Sequence, residues 1–307
     1  DAVEVFRQAA VVAPDDPGAH LNLGHELMRA EEWEEAVTSY ERALRLKPDY
    51  PEALNGLGSA LKVRGSLEDA AARIQQALAL HPDYAEAYDN LGDTLLRLER
   101  YAEAEASFRQ ATALAPDSAD FHADLGHVLF QQQRWEEAAA QFEHALALRP
   151  DFPEALNILG SALMEGGKPD AALAPIRQAI ALRPDYAEAH DNLGNALLQL
   201  GREAEANESF RHAIALQPDE ANRHLRFANA LVSQYAWDEA LAQCERALAL
   251  QPGLGEAHYV ISIVRLYRQE FDLAWEPYER RLEAKEYRKK SCRERAATLP
   301  LYERLPH

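Results

Sequence analysis

Residues 83–116, DYAEAYDNLGDTLLRLERYAEAEASFRQATALAP, return 102 residues later as 185–218, DYAEAHDNLGNALLQLGREAEANESFRHAIALQP. Each stretch is 34 residues long and closes on a proline of the series Pro14, Pro48, Pro82, Pro116, Pro150, Pro184, Pro218 and Pro252. Between these prolines one frame recurs. An apolar-Gly pair comes first, as in Leu23-Gly24, Leu57-Gly58, Leu91-Gly92, Leu125-Gly126, Leu159-Gly160 and Leu193-Gly194. An alanine follows (Ala36, Ala70, Ala104, Ala138, Ala172, Ala206, Ala240), then a large apolar residue and a second alanine. A fixed period of this length marks a stack of supersecondary units, each burying its apolar face only against its neighbours.

Positions are counted from the residue three after each boundary proline, so that Pro17, Pro51, Ala85, Ala119, Pro153, Ala187, Ala221 and Gly255 are position 1. Asp49 with Glu52, Asp83 with Glu86, Asp151 with Glu154 and Asp185 with Glu188 have capping-box spacing and predict the start of a first helix. A second helix is expected from about position 16 to the boundary proline, which cannot continue it. Lys47, His81, Arg149 and Arg183 precede that proline and suit the negative end of the helix dipole. Small residues at positions 8, 20 and 27 let helices approach, and Leu or aromatic residues at 7, 11 and 24 fill the space.

This frame resembles the tetratricopeptide repeat. The resemblance implies an all-α fold, a right-handed superhelical solenoid of antiparallel helix pairs. It divides the chain into residues 1–16, the second helix of a partial repeat; seven repeats over 17–50, 51–84, 85–118, 119–152, 153–186, 187–220 and 221–254; a divergent eighth repeat or cap over 255–284; and a basic helix and linker over 285–307. A longer period overlies the short one. Trp33, Trp135 and Trp237 share position 17, and His20, His122 and His224 share position 4. Duplication of a three-repeat block accounts for this, with or without selection for a periodic ligand.

In the family, the first helices line the concave face, and positions 2, 5, 6, 9, 12 and 13 point into the groove. Here position 6 supplies Asn22, Asn90, Asp124 and Asn192, interrupted by Gly56, Ile158, Arg226 and Val260. Position 9 supplies His25, Asp93, His127, Asn195 and Asn229, besides Ser59 and Ser161. Amide side chains donate and accept, so such rows can grip the backbone of an extended peptide. The arrangement resembles the asparagine ladder of protein O-linked sugar transferases, although ordinary solvated polar residues would give similar rows. Position 12 reads Met28, Lys62, Leu96, Phe130, Met164, Leu198, Val232 and Leu266. These side chains either form an apolar strip in the groove or pack against the neighbouring repeat. Asp89, Asp93, Asp124 and Asp191 make the groove acidic against few cations, among them Arg29, Lys62, Arg97 and Arg226. The basic cluster of carboxylate-clamp repeats is missing, so a neutral or basic protein or peptide is the expected partner.

The chain carries 32 Lys and Arg against 51 Asp and Glu, a formal net charge of −19. That balance disfavours nucleic acid and anionic membranes as partners. No apolar stretch approaches the ~20 residues of a membrane span. Two cysteines, Cys244 and Cys292, are too few for a disulfide framework and point to a reducing, cytoplasmic setting. The chain opens at Asp1, in mid-repeat and without an initiator Met, as a fragment or processed product would. No phosphate loop, Cys-x-x-Cys motif or nucleophile with a base is present, so neither catalysis, nor a cofactor, nor a metal is expected. Cys244 stands where other repeats have a large apolar residue and reads as a buried hydrophobe.

The eighth repeat departs from the frame at Ser262, Arg265 and Arg281, and helix is expected to continue through residues 283–290. From Arg280 onward there are nine Lys or Arg against four acids. Phe271 and the block Ala274-Trp275-Glu276-Pro277-Tyr278-Glu279-Arg280-Arg281 resemble the joint of bacterial repeat proteins that lead into a glycosyltransferase-like domain. Three functional readings follow. The first is a non-catalytic interaction scaffold holding an extended neutral-to-basic peptide. The second is the substrate-recruiting region of a protein glycosyltransferase whose catalytic domain lies beyond residue 307. The third is a self-assembling homo-oligomeric array that pairs its acidic body with a basic tail.

Overall fold

The computed structural model describes residues 2–280. Among these the chain is all α, with no strand. A leading helix, α1 (Ala2–Val12), precedes sixteen helices that alternate along the chain as first and second helices of the repeats. The first helices are α2 (Pro17–Arg29), α4 (Pro51–Arg64), α6 (Ala85–Arg97), α8 (Ala119–Gln131), α10 (Pro153–Glu165), α12 (Ala187–Gln199), α14 (Ala221–Ser233) and α16 (Gly255–Tyr267). The second helices are α3 (Trp33–Leu46), α5 (Leu67–Leu80), α7 (Tyr101–Leu114), α9 (Trp135–Leu148), α11 (Pro169–Leu182), α13 (Glu203–Leu216), α15 (Trp237–Leu250) and α17 (Phe271–Arg280). The expected helix over 283–290, the basic segment 285–307 and Cys292 lie outside the described residues.

The helices fall into two compact units, one running to Gly167 and one starting at Lys168. In the first unit, each pair closes where a position-8 glycine meets the position-24 side chain. A Cβ on Gly92 would come within 2.6 Å of the Phe108 ring, and one on Gly58 within 2.4 Å of Ile74. Phe108 and Ile74 are fully buried by this contact, as are the alanines at positions 20 and 27. The second unit repeats the arrangement with Gly194 against Phe210, and Cys244 fills the same place as a small buried hydrophobe. Burial pushes its thiol up to about 12.

Every turn between paired helices passes through a left-handed residue at position 15. Gly65, Gly167 and Gly201 take it in three repeats, and Glu31, Glu99, Gln133, Tyr235 and Gln269 in the others. Within each unit neighbouring first helices touch one another, whereas neighbouring second helices do not. The first helices therefore form one continuous face in each unit.

The capping boxes do not form. The N-cap residues are Tyr50, Tyr84, Phe152 and Tyr186, and none of them makes a side-chain cap. Asp49, Asp83, Asp151 and Asp185 stand one residue too early to reach the orphan amides. The aromatic residue does a different job there. The Lys47 ammonium lies 4.0 Å over the Tyr50 ring, and the Arg149 and Arg183 guanidiniums lie 3.8 and 4.8 Å over Phe152 and Tyr186. These cations thus bind the boundary loop as well as suiting the helix end. Among the described residues, side-chain caps occur only where the N-cap is polar, at Asp16, Ser118 and Glu220.

Candidate functional site

The first-helix face of the first unit carries a connected polar row. Lys62, on α4, reaches across to α6, where its Nζ lies 2.7 Å from Asp93 Oδ2 and donates to Asn90 Oδ1 at 3.3 Å. Asn90 Nδ2 donates to Asn55 Oδ1 at 3.2 Å, and Asn55 Nδ2 donates to the Tyr84 hydroxyl at 3.3 Å. Asn55 is buried while Asn90 is half-buried, so the row runs from the core to the surface. One step along, Asp89 on α6 meets Asp124 on α8. Burial, then the charge and hydrogen bond of Asp124, push the Asp89 carboxyl up to about 8. Burial raises Asp124 to about 6. Like charges this close cannot both ionise cheaply. Asp89 holds the proton of the pair and shares it with Asp124.

The position-9 histidines sit beside this row. Burial holds both His25 and His127 below the ordinary imidazole range. His25 packs edge-on to Tyr40, with centroids 5.6 Å apart. Gly56 interrupts the position-6 row because the Tyr40 ring reaches it: a Cβ there would lie 2.6 Å from that ring. Asn22 is exposed on α2.

Position 12 is neither a bare strip nor uniformly buried. Met28, Leu96 and Phe130 are half-buried against the core of their unit, and Phe130 also meets Trp135 edge-on at 4.9 Å. Met164 is buried, Leu198 and Val232 are half-buried, and Leu266 is at the surface.

The second unit answers the same sequence differently. Asp191 is the 102-residue counterpart of Asp89, yet it does not contribute acidity to the groove. It is 1% exposed, hydrogen-bonded to Arg223, whose other nitrogen lies 2.9 Å from Glu188. Arg226 stands 3.6 Å away, its own side chain exposed. Burial pushes Asp191 up to about 6 against the pull of the two arginines. Phe121 and Asp124 in the first unit become Arg223 and Arg226 in the second, which converts a proton-sharing pair into an ion pair. Asn192 and Asn195 are half-buried on α12, and Asn229 is exposed on α14.

Sequence reading missed Asn55 and Arg223. The recurrence of Asn55 as Asn157 and Asp89 as Asp191 at position 5 was the available signal, since a polar residue kept in a buried row needs a partner. The position-4 histidines have a structural task. The Nε2 atoms of His20, His122, His190 and His224 lie 2.9 to 3.1 Å from the carbonyls of Pro14, Pro116, Pro184 and Pro218. A carbonyl only accepts, so each ring carries its proton on Nε2 and ties the boundary loop to the next helix.

The chain matches the family described as Cilia and flagella-associated protein 70 C-terminal domain over residues 2–221. It matches Tetratricopeptide repeat over residues 192–255. The chain belongs to the tetratricopeptide-repeat family. No curated protein matches it in sequence. Among solved structures it is similar to YrrB, described as a TPR protein with an unusual peptide-binding site. The identity is 24% and the TM-score 0.50, over 61% of this chain and 96% of that one. It is also similar to the APC/C hetero-tetramer Cut9-Hcn1, at 16% identity and a TM-score of 0.66, over 85% of this chain and 52% of that one. The pilF protein of Pseudomonas aeruginosa is 22% identical with a TM-score of 0.55, over 69% of this chain and 97% of that one. At such identities these likenesses establish the fold. Both family matches end before Ala274, so they do not bear on the block that resembles a glycosyltransferase joint. No helix among the described residues is long and apolar enough to cross a membrane.

Proposed function

We propose that the chain is a non-catalytic interaction scaffold that holds an extended, neutral-to-basic polypeptide segment against its first-helix faces. The observation that carries this reading is the Asn55–Asn90–Lys62–Asp93 row beside Asp89 and Asp124. It is preorganised by its own hydrogen bonds and half-open to solvent, with amides, one ion pair and the Asp124 carboxyl beside it. Such a row presents amide and carboxylate groups to a peptide backbone and to basic side chains without having to rearrange. YrrB, described by its peptide-binding site, and Cut9-Hcn1, a hetero-tetramer, show the same fold in proteins that bind peptides or assemble.

The test uses exposed or half-exposed groups whose loss spares the core. Labelled extended peptides of equal length and graded charge are titrated against the full chain and against the triple variant N22A/D93N/N229A. Basic and neutral peptides should bind better than acidic ones. The variant should lose about tenfold or more in affinity with its circular dichroism unchanged. Equal affinity in the variant, or a preference for acidic peptides, contradicts the reading.

A further inference from the structure

The turn of the seventh repeat carries an arrangement found at no other described turn. Tyr235 occupies the left-handed position at φ 59°. In the other repeats this place belongs to glycine or to a long polar side chain. A left-handed backbone costs free energy for any residue with a Cβ, and such strain persists where something else repays it. Burial does not repay it here, because Tyr235 is 72% exposed.

The ring is instead held in an aromatic corner. Tyr235 stands perpendicular to Trp237, with centroids 5.4 Å apart at 89°, and Trp237 stacks on Tyr267 at 5.3 Å and 13°. Tyr267 is itself 45% exposed. The other tryptophans of the 102-residue series have no such company. Trp33 has Glu31 and Val63 at the corresponding places, and Trp135 has Gln133 and Glu165 and packs on Phe130. A shallow cavity of about 480 Å³ opens beside the corner, lined by Tyr235, Ala236, Trp237, Asp238, Glu239 and Arg268. Its rim is acidic but ordered. Arg268 lies 2.6 Å from Asp238 and 2.9 Å from Glu270, and Arg211 lies 2.8 Å from Glu239. The Asp238 side chain remains 92% exposed.

We propose that this corner, distinct from the peptide rows of the first-helix face, is a docking site for a proline-rich segment that carries a basic residue. Two exposed tyrosine rings about the half-buried Trp237, with a shallow cavity beside them, suit the flat pyrrolidine rings of a polyproline II strand. Such a strand needs no backbone partners and arrives already extended, so little ordering entropy opposes binding. An amphipathic helix would need a longer apolar groove than three rings provide. The exposed Asp238 carboxylate, in a chain of net charge −19, selects a cationic neighbour for the prolines.

Fluorescence anisotropy of a fluorescein-labelled proline–arginine decapeptide on the full chain tests this, alongside a control peptide of equal charge with alanine for each proline. The proline peptide should bind saturably and the control at least about tenfold more weakly. Tyr235→Gly relaxes the turn and removes the ring. It should leave the melting temperature unchanged or higher while weakening the proline peptide by about tenfold or more. Tyr267→Ala should weaken it likewise. The proposal is overturned if the proline peptide does not bind, if the control binds equally, or if Tyr235→Gly keeps full affinity. It is overturned equally if Tyr235→Gly lowers the melting temperature, which would assign the ring to the fold.

Discussion

Single side chains decide more in this array than its repetition suggests. Gly92 and Phe108 show one such demand: an added methyl meets the ring at 2.6 Å inside a closed core. Gly92→Ala should therefore cost about 1–3 kcal/mol, as overpacking does, read from the shift in urea midpoint. Asp89 and Asp124 make stability depend on pH. Their carboxyls sit above the ordinary range in the folded chain, at about 8 and about 6, so the folded state holds a proton that the unfolded chain releases near pH 4. The pair's contribution is complete below about pH 4 and is lost as pH rises through 6 and then 8. Asp89→Asn keeps the hydrogen bond without the titration, and should flatten the fall in melting temperature between about pH 4 and 8. Arg223→Met leaves Asp191 buried without its main partner and should cost about 3–5 kcal/mol by denaturant titration. The position-24 residues and position-8 glycines were legible from the sequence because the first six repeats all carry them. The pairing of Asp89 with Asp124 and of Asp191 with Arg223 was not, since it depends on side chains from two successive repeats meeting below the surface.

At the scale of the helix, local signals told when an element starts and less well what holds it. Pro51, Pro153 and the boundary prolines place the ends correctly, because a missing N–H and a fixed φ act within one residue. The Asp-x-x-Glu spacing misleads, since a side chain one residue before the N-cap cannot reach the first free amides. Ser118 does cap α8, accepting from the amide of Phe121 at 3.4 Å, whereas Asp151 makes no cap on α10. Ser118→Ala should then lose about 1 kcal/mol and Asp151→Ala almost nothing, compared by thermal denaturation. Between elements, the histidine-to-proline carbonyl bonds and the cations over Tyr50, Phe152 and Tyr186 stiffen the boundary loops. These contacts join residues three or six apart, within reach of sequence inspection. Their chemistry reads as helix-dipole compensation until the ring is seen under the charge.

Over the whole chain, stability is a sum of near-identical local terms rather than one core. In such a stack a defect is felt by its own repeat and its neighbours and fades with distance. Amide hydrogen exchange on Gly92→Ala should therefore show faster opening in α6, α7 and α8 while α14 and α15 keep their protection. Uniform acceleration along the chain would mean that the stack melts as one cooperative body. The same repetition governs binding. A ligand-facing row is assembled from one residue per repeat, so affinity spreads over many weak contacts.

The sequence by itself determined the all-α repeat fold, the period, the helix pairing and the acidic character of the chain. Those properties follow from local periodicity and composition, and they recur often enough for single exceptions not to matter. Only the tertiary structure decided which polar residues of the first-helix rows are open and which are buried. It also decided that equivalent aspartates 102 residues apart take a carboxyl partner in one unit and an arginine in the other. The gathering of Tyr235, Trp237 and Tyr267 at one turn belongs to the same class. The reason is geometric. Each outcome depends on atoms from consecutive repeats that lie some 30 residues apart in the chain, and the linear pattern carries no record of which faces meet.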